Sequence, residues 1–284
     1  MTDYAEQLDL APELRMTSYA YREEFGRRPA TVWRVPGTVT LLTDGDQRLT
    51  VATPWGAIAA AGPADGDVVE LVQMERPGER RSRPGTGATV LVSSELPEGT
   101  GTGSAAATEE VIQLCTGSAP ATALPGGPHV RAGNRWLPFD LAAAGLRLMV
   151  IDTRVRDAPR SAPAEHSPVG AAVTAISSGD LAALGPMLTA AHNALDHDFV
   201  QQVAVSVALR ARALGARAIF DGAGRPVVVL VPAGRLADVR AAVTAEFGRH
   251  RLRLPRFLTF TPAAGPWSTG AASPAPDPVS PPCP

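Results

Sequence analysis

Between Ser93 and Glu110 the chain reads SSELPEGTGTGSAAATEE, with glycines at 99, 101 and 103 leading straight into good helix formers. Alternating glycines let the backbone fold back where side chains would collide, and the helix that follows offers unpaired N–H groups and a positive dipole end. Any fold open to this chain must therefore gather a strand end, a tight loop and a helix N-terminus at one place. Such a place favours an anion, phosphate above all, although the same pattern also serves as a plain strand-to-helix connection. It is not a Walker loop, which needs a lysine: all 26 basic residues are arginine. The same absence removes lysine Schiff-base and lysine general-base chemistry.

Apolar and aromatic residues from Leu8 to Phe25 recur at helical spacing and stop at Gly26 and Pro29, which predicts an N-terminal helix. TVWRV and TVTLL read as two short strands flanking a turn at Pro36–Gly37. RLTVAT, AIAAAG, DVVELVQM and TVLVSSEL add further strands, so the part before the glycine loop reads as predominantly β. A helix is predicted from Ser104 to Cys115, followed by a weakly patterned connector from Thr116 to Pro128. GLRLMVIDTRV then carries an apolar run at Leu146 to Ile151, as a buried strand would. Two helical stretches follow, SSGDLAALGPMLTAAHNAL and DFVQQVAVSVALRARALG, the second ending at Gly215. The strand PVVVLVP and the helix RLADVRAAVTAEFGRH, ending near Gly248, complete the pattern. From Thr261 onward the chain is so rich in Pro, Ala, Ser and Gly that a disordered tail is expected.

With 284 residues, 45% of them hydrophobic, the chain can bury a substantial core. A net charge of −2 gives no electrostatic reason to expect nucleic acid or an anionic membrane as partner. No apolar run reaches the roughly 20 residues of a membrane span, and the acidic start MTDYAEQLDL lacks a signal-peptide stretch, so a cytoplasmic protein is expected. Cys115 and Cys283 are too few for a disulfide framework or a metal knuckle, and Cys115 reads as a small buried hydrophobe. His192, His197 and Asp198 read as one helix face and its terminus rather than a metal site, because a pair five residues apart does not stack on a helix.

Three segments, in order, resemble the signatures of galactokinases within the GHMP kinase superfamily. The family's A-P-G-R-V-N-L-I-G-E-H-T-D-Y is similar to Val35-Pro36-Gly37-Thr38-Val39-Thr40-Leu41-Leu42-Thr43-Asp44-Gly45-Asp46-Gln47-Arg48. Its phosphate loop, P-x-G-x-G-L-S-S-S-A-A, resembles Pro97-Glu98-Gly99-Thr100-Gly101-Thr102-Gly103-Ser104-Ala105-Ala106-Ala107. Its third signature, G-A-R-M-T-G-G-G-F-G-G, is similar to Gly215-Ala216-Arg217-Ala218-Ile219-Phe220-Asp221-Gly222-Ala223-Gly224-Arg225. Between them, Val150 to Val155 looks like the family's I-D-T-x-V strand, and Gly179-Asp180-Leu181 with His192 to Leu195 looks like its G-D-L and S-H-x-S-L helix.

The resemblance implies a two-domain α+β fold. Residues 1–137 would form an N-terminal mixed-sheet domain bearing the phosphate loop, and residues 138–260 a C-terminal α/β sandwich-like domain of sheet covered by helices on one face, with 261–284 as tail. It implies ATP and Mg as cofactors, with Pro97, Gly99, Gly101, Gly103 and Ser104 toward the nucleotide and Ser104 toward the metal. Gly222 and Gly224 would form the third motif. The family reaction is ATP-dependent phosphorylation of a sugar hydroxyl, galactose to galactose 1-phosphate. Asp44 and Asp46 fall in the stretch that binds the hexose, yet Asp-Gly-Asp also makes an ordinary turn, and both readings stand. Glu109 and Glu110 read as solvated helix charges rather than metal ligands.

The departures fall on the chemistry. The family's Asp base lies between the loop and the I-D-T strand, and here Cys115 to Leu137 contains no Asp or Glu. The family's Arg in the first signature is Thr38. No catalytic residue is therefore assigned. The leading expectation is a galactokinase-like protein with impaired catalysis that retains nucleotide or hexose binding. Two alternatives remain: an active small-molecule kinase with a displaced base, for which Asp44, Asp46 and Asp152 are the nearest acids, and a regulatory scaffold that binds a protein partner and no ligand.

Overall fold

The computed structural model describes residues 12–117, 128–156, 165–220, 224–263 and 267–268. Helix α1 (Pro12–Phe25) buries Leu14 and Tyr21 against the sheet face formed by Val32, Ile58 and Leu91. The Tyr21 hydroxyl is 2.6 Å from that of Thr89, so the buried phenol keeps a partner.

The expected pair of short strands around Pro36–Gly37 is instead one strand, β1 (Thr31–Asp44), and RLTVAT and AIAAAG likewise merge into β2 (Gln47–Pro63). The two pair antiparallel with a register shift between Pro36 and Thr38. A proline has no N–H to give the ladder, so it is accommodated at a bulge rather than by ending the strand. The bulge sets Gly37 where a Cβ would lie 2.5 Å from the Thr102 carbonyl oxygen, and the Thr38 N–H donates to that oxygen at 2.9 Å.

Strands β3 (Val68–Gln73), β4 (Arg76–Pro84) and β5 (Ala88–Ser94) extend the sheet, with β3 parallel to β5 and the other pairings antiparallel. The hairpin of β6 (His129–Ala132) and β7 (Arg135–Pro138) hangs on β2. On the far side, β12 (Trp267–Ser268) pairs with β1, so the chain rejoins the sheet beyond Thr261; the rest of the expected tail, apart from 261–263, lies outside the described residues. The path is β12-β1-β2-β5-β3-β4. Helix α2 (Ser104–Cys115) starts where the glycine pattern places it and packs Ala107, Val111, Ile112 and Leu114 on Val35, Ala57, Val90 and Val92.

The second sheet is antiparallel, in the order β11 (Arg256–Phe260), β8 (Leu146–Asp152), β10 (Val227–Pro232), β9 (Gly215–Ala218). Met149 and Ile151 of β8 point to one face and pack on α5 (Phe199–Arg210) and α6 (Leu236–Arg249). Leu148 and Val150 point to the other and share a cluster with α3 (Val169–Ser177), α4 (Leu184–Asn193) and Val39, Leu41, Leu49 and Val51 of the first sheet. Both faces are therefore covered, not one, which is why residues 148–151 of β8 and 227–231 of β10 read as continuous apolar runs rather than alternating strands. Gly215 opens β9 instead of closing α5: the helix stops at Arg210, and the turn is made by Arg212 at φ 70.

Candidate phosphate-binding site

The glycine loop is held from three directions. From β1 comes the Thr38 N–H bond to the Thr102 carbonyl. Within the loop, the Thr100 hydroxyl donates to the Pro97 carbonyl at 2.7 Å and lies 2.9 Å from the Thr102 hydroxyl, so these buried side chains satisfy each other and the backbone. From the second sheet, Ile219 occupies the space beside Gly101, and Gly224 lies so close that a Cβ there would overlap the Gly99 carbonyl oxygen. Gly99, Gly101 and Gly103 adopt φ of 67°, 76° and 66°. This left-handed region strains other residues, so the alternating glycines are a backbone requirement.

Gly103 is the N-cap of α2, with no side-chain cap, and Ala105 and Ala106 behind it are exposed. The N-cap offers the first-turn N–H groups no side-chain oxygen, which suits an anion. Ser104 is buried at the same turn. The structure thus brings together Pro97, Gly99, Gly101, Gly103, Ser104 and Gly224; Gly222 lies outside the described residues.

The opposite side of Gly99 is covered by Arg156, whose Nε lies 2.7 Å from where a Cβ would stand. Its Nη2 donates to the Glu98 carbonyl at 3.1 Å and its Nη1 to Asp152 Oδ1 at 2.8 Å. Asp152, 2% exposed, also accepts the Arg154 N–H at 2.8 Å. It is a clasp between β8 and the loop. Sequence reasoning did not find it; the signal was a lone aspartate ending an apolar strand with arginines two and four residues on.

Asp44 and Asp46 sit at the exposed β1–β2 turn, where Asp44 Oδ1 is 3.2 Å from His166 Nδ1. At about 3.3 Å per residue, Asp44 lies roughly 20 Å along β1 from Thr38, so these acids are not gathered with the loop. Glu109 is held by Arg83 at 2.8 Å and 3.0 Å, and Glu110 is exposed. Among the described residues no group of three or more His, Cys, Asp or Glu is placed to hold a metal. Burial pushes the Cys115 thiol up to about 12, leaving it inert at neutral pH.

A second polar centre was not legible in sequence. Arg217 of β9, in the third signature, is buried and donates through Nη1 to Glu165 Oε1 at 2.5 Å and through Nη2 to Oε2 at 2.8 Å. Nη1 also reaches the Leu41 carbonyl at 3.0 Å. Glu165 further accepts from the Thr43 N–H and the Ser167 hydroxyl. Burial works to raise the Glu165 carboxyl, but Arg217 and these donors outweigh it and hold it below the usual range.

Next to Arg217, the histidines do not share one helix face as expected: the His192 and His197 rings stack at 4.2 Å with 8° between planes. Helix α4 ends at Asn193, so His197 is off the helix and folds back to place Nε2 2.9 Å from the His192 carbonyl. His192 Nδ1 accepts the Ala218 N–H at 3.3 Å, which fixes the neutral ring. Burial, then the neighbouring His197 and Arg217, push its pKa from 6.5 to about 4. In the unfolded chain His192 takes its proton near 6.5, so between these values the unfolded state binds more protons and acid favours unfolding. Stability is expected to fall by on the order of 2–3 kcal/mol as pH drops from about 6.5 to 4 and to level off above. His192→Gln should flatten that profile in urea unfolding at a series of pH values; an unchanged profile would refute the assignment.

No protein-family model matches the sequence. The chain is similar to a galactokinase of Streptomyces coelicolor, 28% identical over 86% of this chain and 96% of that protein. It is 39% identical to a galactokinase of Mycobacterium tuberculosis over 38% of this chain and 31% of that one. Among solved structures, Lactococcus lactis galactokinase complexed with galactose superposes with a TM-score of 0.75 at 14% identity, over 91% of this chain and 100% of that one. Methanococcus jannaschii mevalonate kinase superposes at 0.52 with 12% identity, over 81% and 98%. No described helix is long and apolar enough to cross a membrane.

Proposed function

We propose that the chain is a galactokinase-like member of the GHMP kinase superfamily that keeps nucleotide binding without phosphoryl transfer. The observation that carries the binding half is the uncapped N-terminus of α2 behind three left-handed glycines, with Ser104 in the first turn. Nucleotide phosphates would take the exposed amides. Magnesium would be held mainly by phosphate oxygens with the Ser104 hydroxyl beside them, since such ions favour oxygen ligands and bind substrate phosphates with few protein groups. When bound, the metal would neutralise charge on the phosphates.

Phosphoryl transfer also needs a group to accept the sugar hydroxyl proton and a cation beside it. Cys115 to Leu137 offers no acid, and Thr38 stands where the family has arginine. Of the three acids nearest in sequence, Asp152 is buried and engaged by Arg156, and Asp44 and Asp46 lie at the distant turn. A displaced base is thus the weaker reading. The division into units at 137/138 and the hexose role of Asp44 and Asp46 belong to the same proposal.

Thermal-shift titration with Mg-ATP and Mg-ADP, alone and with hexoses, beside a coupled ADP-release assay, tests it. Stabilisation without turnover is expected, about 2.7 kcal/mol at 100 times Kd. Ser104→Ala should weaken the shift. Hexose-dependent ADP release would overturn the catalytic half; no shift with either nucleotide would overturn the binding half.

A further inference from the structure

Beside the clasp on Asp152, the end of β8 carries more positive charge than the fold uses. Arg256 of β11 is the cross-strand neighbour of Asp152, Arg154 follows it by two residues, and Arg156 bonds it. The Arg154 guanidinium is held below the usual arginine range, first by loss of hydration and then by the like charges of Arg253 and Arg256; Asp152 opposes this and Arg156 adds to it. Arg253, Arg256 and Arg156 are exposed and Arg154 is partly so. The one carboxylate among them is buried and already accepts the Arg154 N–H and the Arg156 guanidinium. Among the described residues no carboxylate is ion-paired with Arg154, Arg253 or Arg256. Arg154 is moreover held at φ 59, a conformation that non-glycine residues adopt only under constraint.

We propose that Arg154, Arg156, Arg253 and Arg256 form a phosphate-recognition site at the end of β8, touching the glycine loop through Arg156 but distinct from the N-terminus of α2, for a small ligand carrying at least two negative charges. Guanidinium forks match phosphate oxygens in pairs, and several arginines gathered at one strand end favour a multiply charged phosphate over a monocarboxylate. The cluster is anchored rather than loosely gathered: Arg156 is bonded to Asp152 and to the loop backbone, and Arg256 is fixed by strand register. The inference does not rest on nucleotide binding by the loop.

Calorimetric titration of the full chain with metal-free pyrophosphate tests it. One site per chain is expected, weakening as NaCl is added. The variant Arg154→Gly with Arg256→Gln should bind at least tenfold more weakly, whereas Ser104→Ala should bind as the wild type does. Glycine relaxes the left-handed backbone at 154, so the ligand-free variant should melt no lower than wild type on that account. Arg253→Gln, on an exposed loop, provides an independent variant expected to weaken binding. The proposal is overturned if wild type does not bind, if these arginine variants bind equally well, or if Ser104→Ala alone abolishes binding.

Discussion

Glu165→Ala is expected to destabilise the protein by about 3–5 kcal/mol, the usual effect of removing one partner from a buried ion pair. Arg217 would stay buried with its charge unmet, because β9 is covered by α4 and α5 and gives the guanidinium no route to water. The Thr43 N–H and Ser167 hydroxyl would lose their acceptor as well. Much of this cost is the stranded charge and not the worth of the pair, so Glu165→Leu combined with Arg217→Met should be markedly more stable than Glu165→Ala. Urea unfolding of the variants decides: a double variant as unstable as the single one would show that the pair itself, through its bonds to Leu41 and Thr43, holds β1 against β9.

Gly224→Ala should abolish the Mg-ATP thermal shift, or weaken nucleotide binding more than tenfold. The added Cβ would overlap the Gly99 carbonyl, and the obstacle is backbone, which cannot rotate aside as a side chain can. Either the loop moves off Gly224, which spoils the amide geometry at the start of α2, or Gly224 moves and with it Ile219 comes away from Gly101. Gly248→Ala is the matched control. It sits in helix α6 with nothing within 4 Å of the added methyl, and it should leave ligand response unchanged while adding roughly 0.5–1 kcal/mol of stability. A normal nucleotide shift in Gly224→Ala would mean that the glycine contact does not shape the binding loop.

How far the sequence could be read depends on whether a signal was local. The glycine loop, the helix from Ser104, the apolar strand at Leu146 and the helix through Phe247 were legible because spacing and turn chemistry decide them within a few residues. Pro36–Gly37 misled because a proline that ends a short strand and one that sits at a bulge have the same neighbours; what separates them is Gly56 opposite and Thr102 beneath. Strand β4, RPGERRSRP, carries no apolar pattern because it is an exposed edge, where charge protects against further pairing. The β6–β7 hairpin did leave a mark, the Gly133–Asn134 turn. In the site, the glycines were readable and the charges were not: what ties Arg156 to the loop and Arg217 to Glu165 are bonds to partners 52 or more residues away.

The glycine loop is clamped by Thr38, Arg156 and Gly224, which belong to three remote stretches of chain. Contacts so distant in sequence close late, after the entropy of large loops has been overcome. The glycine segment will therefore acquire its shape near the end of folding, and a peptide carrying it alone will have neither the shape nor the affinity. Nucleotide binding, where present, reports that the whole molecule has been assembled.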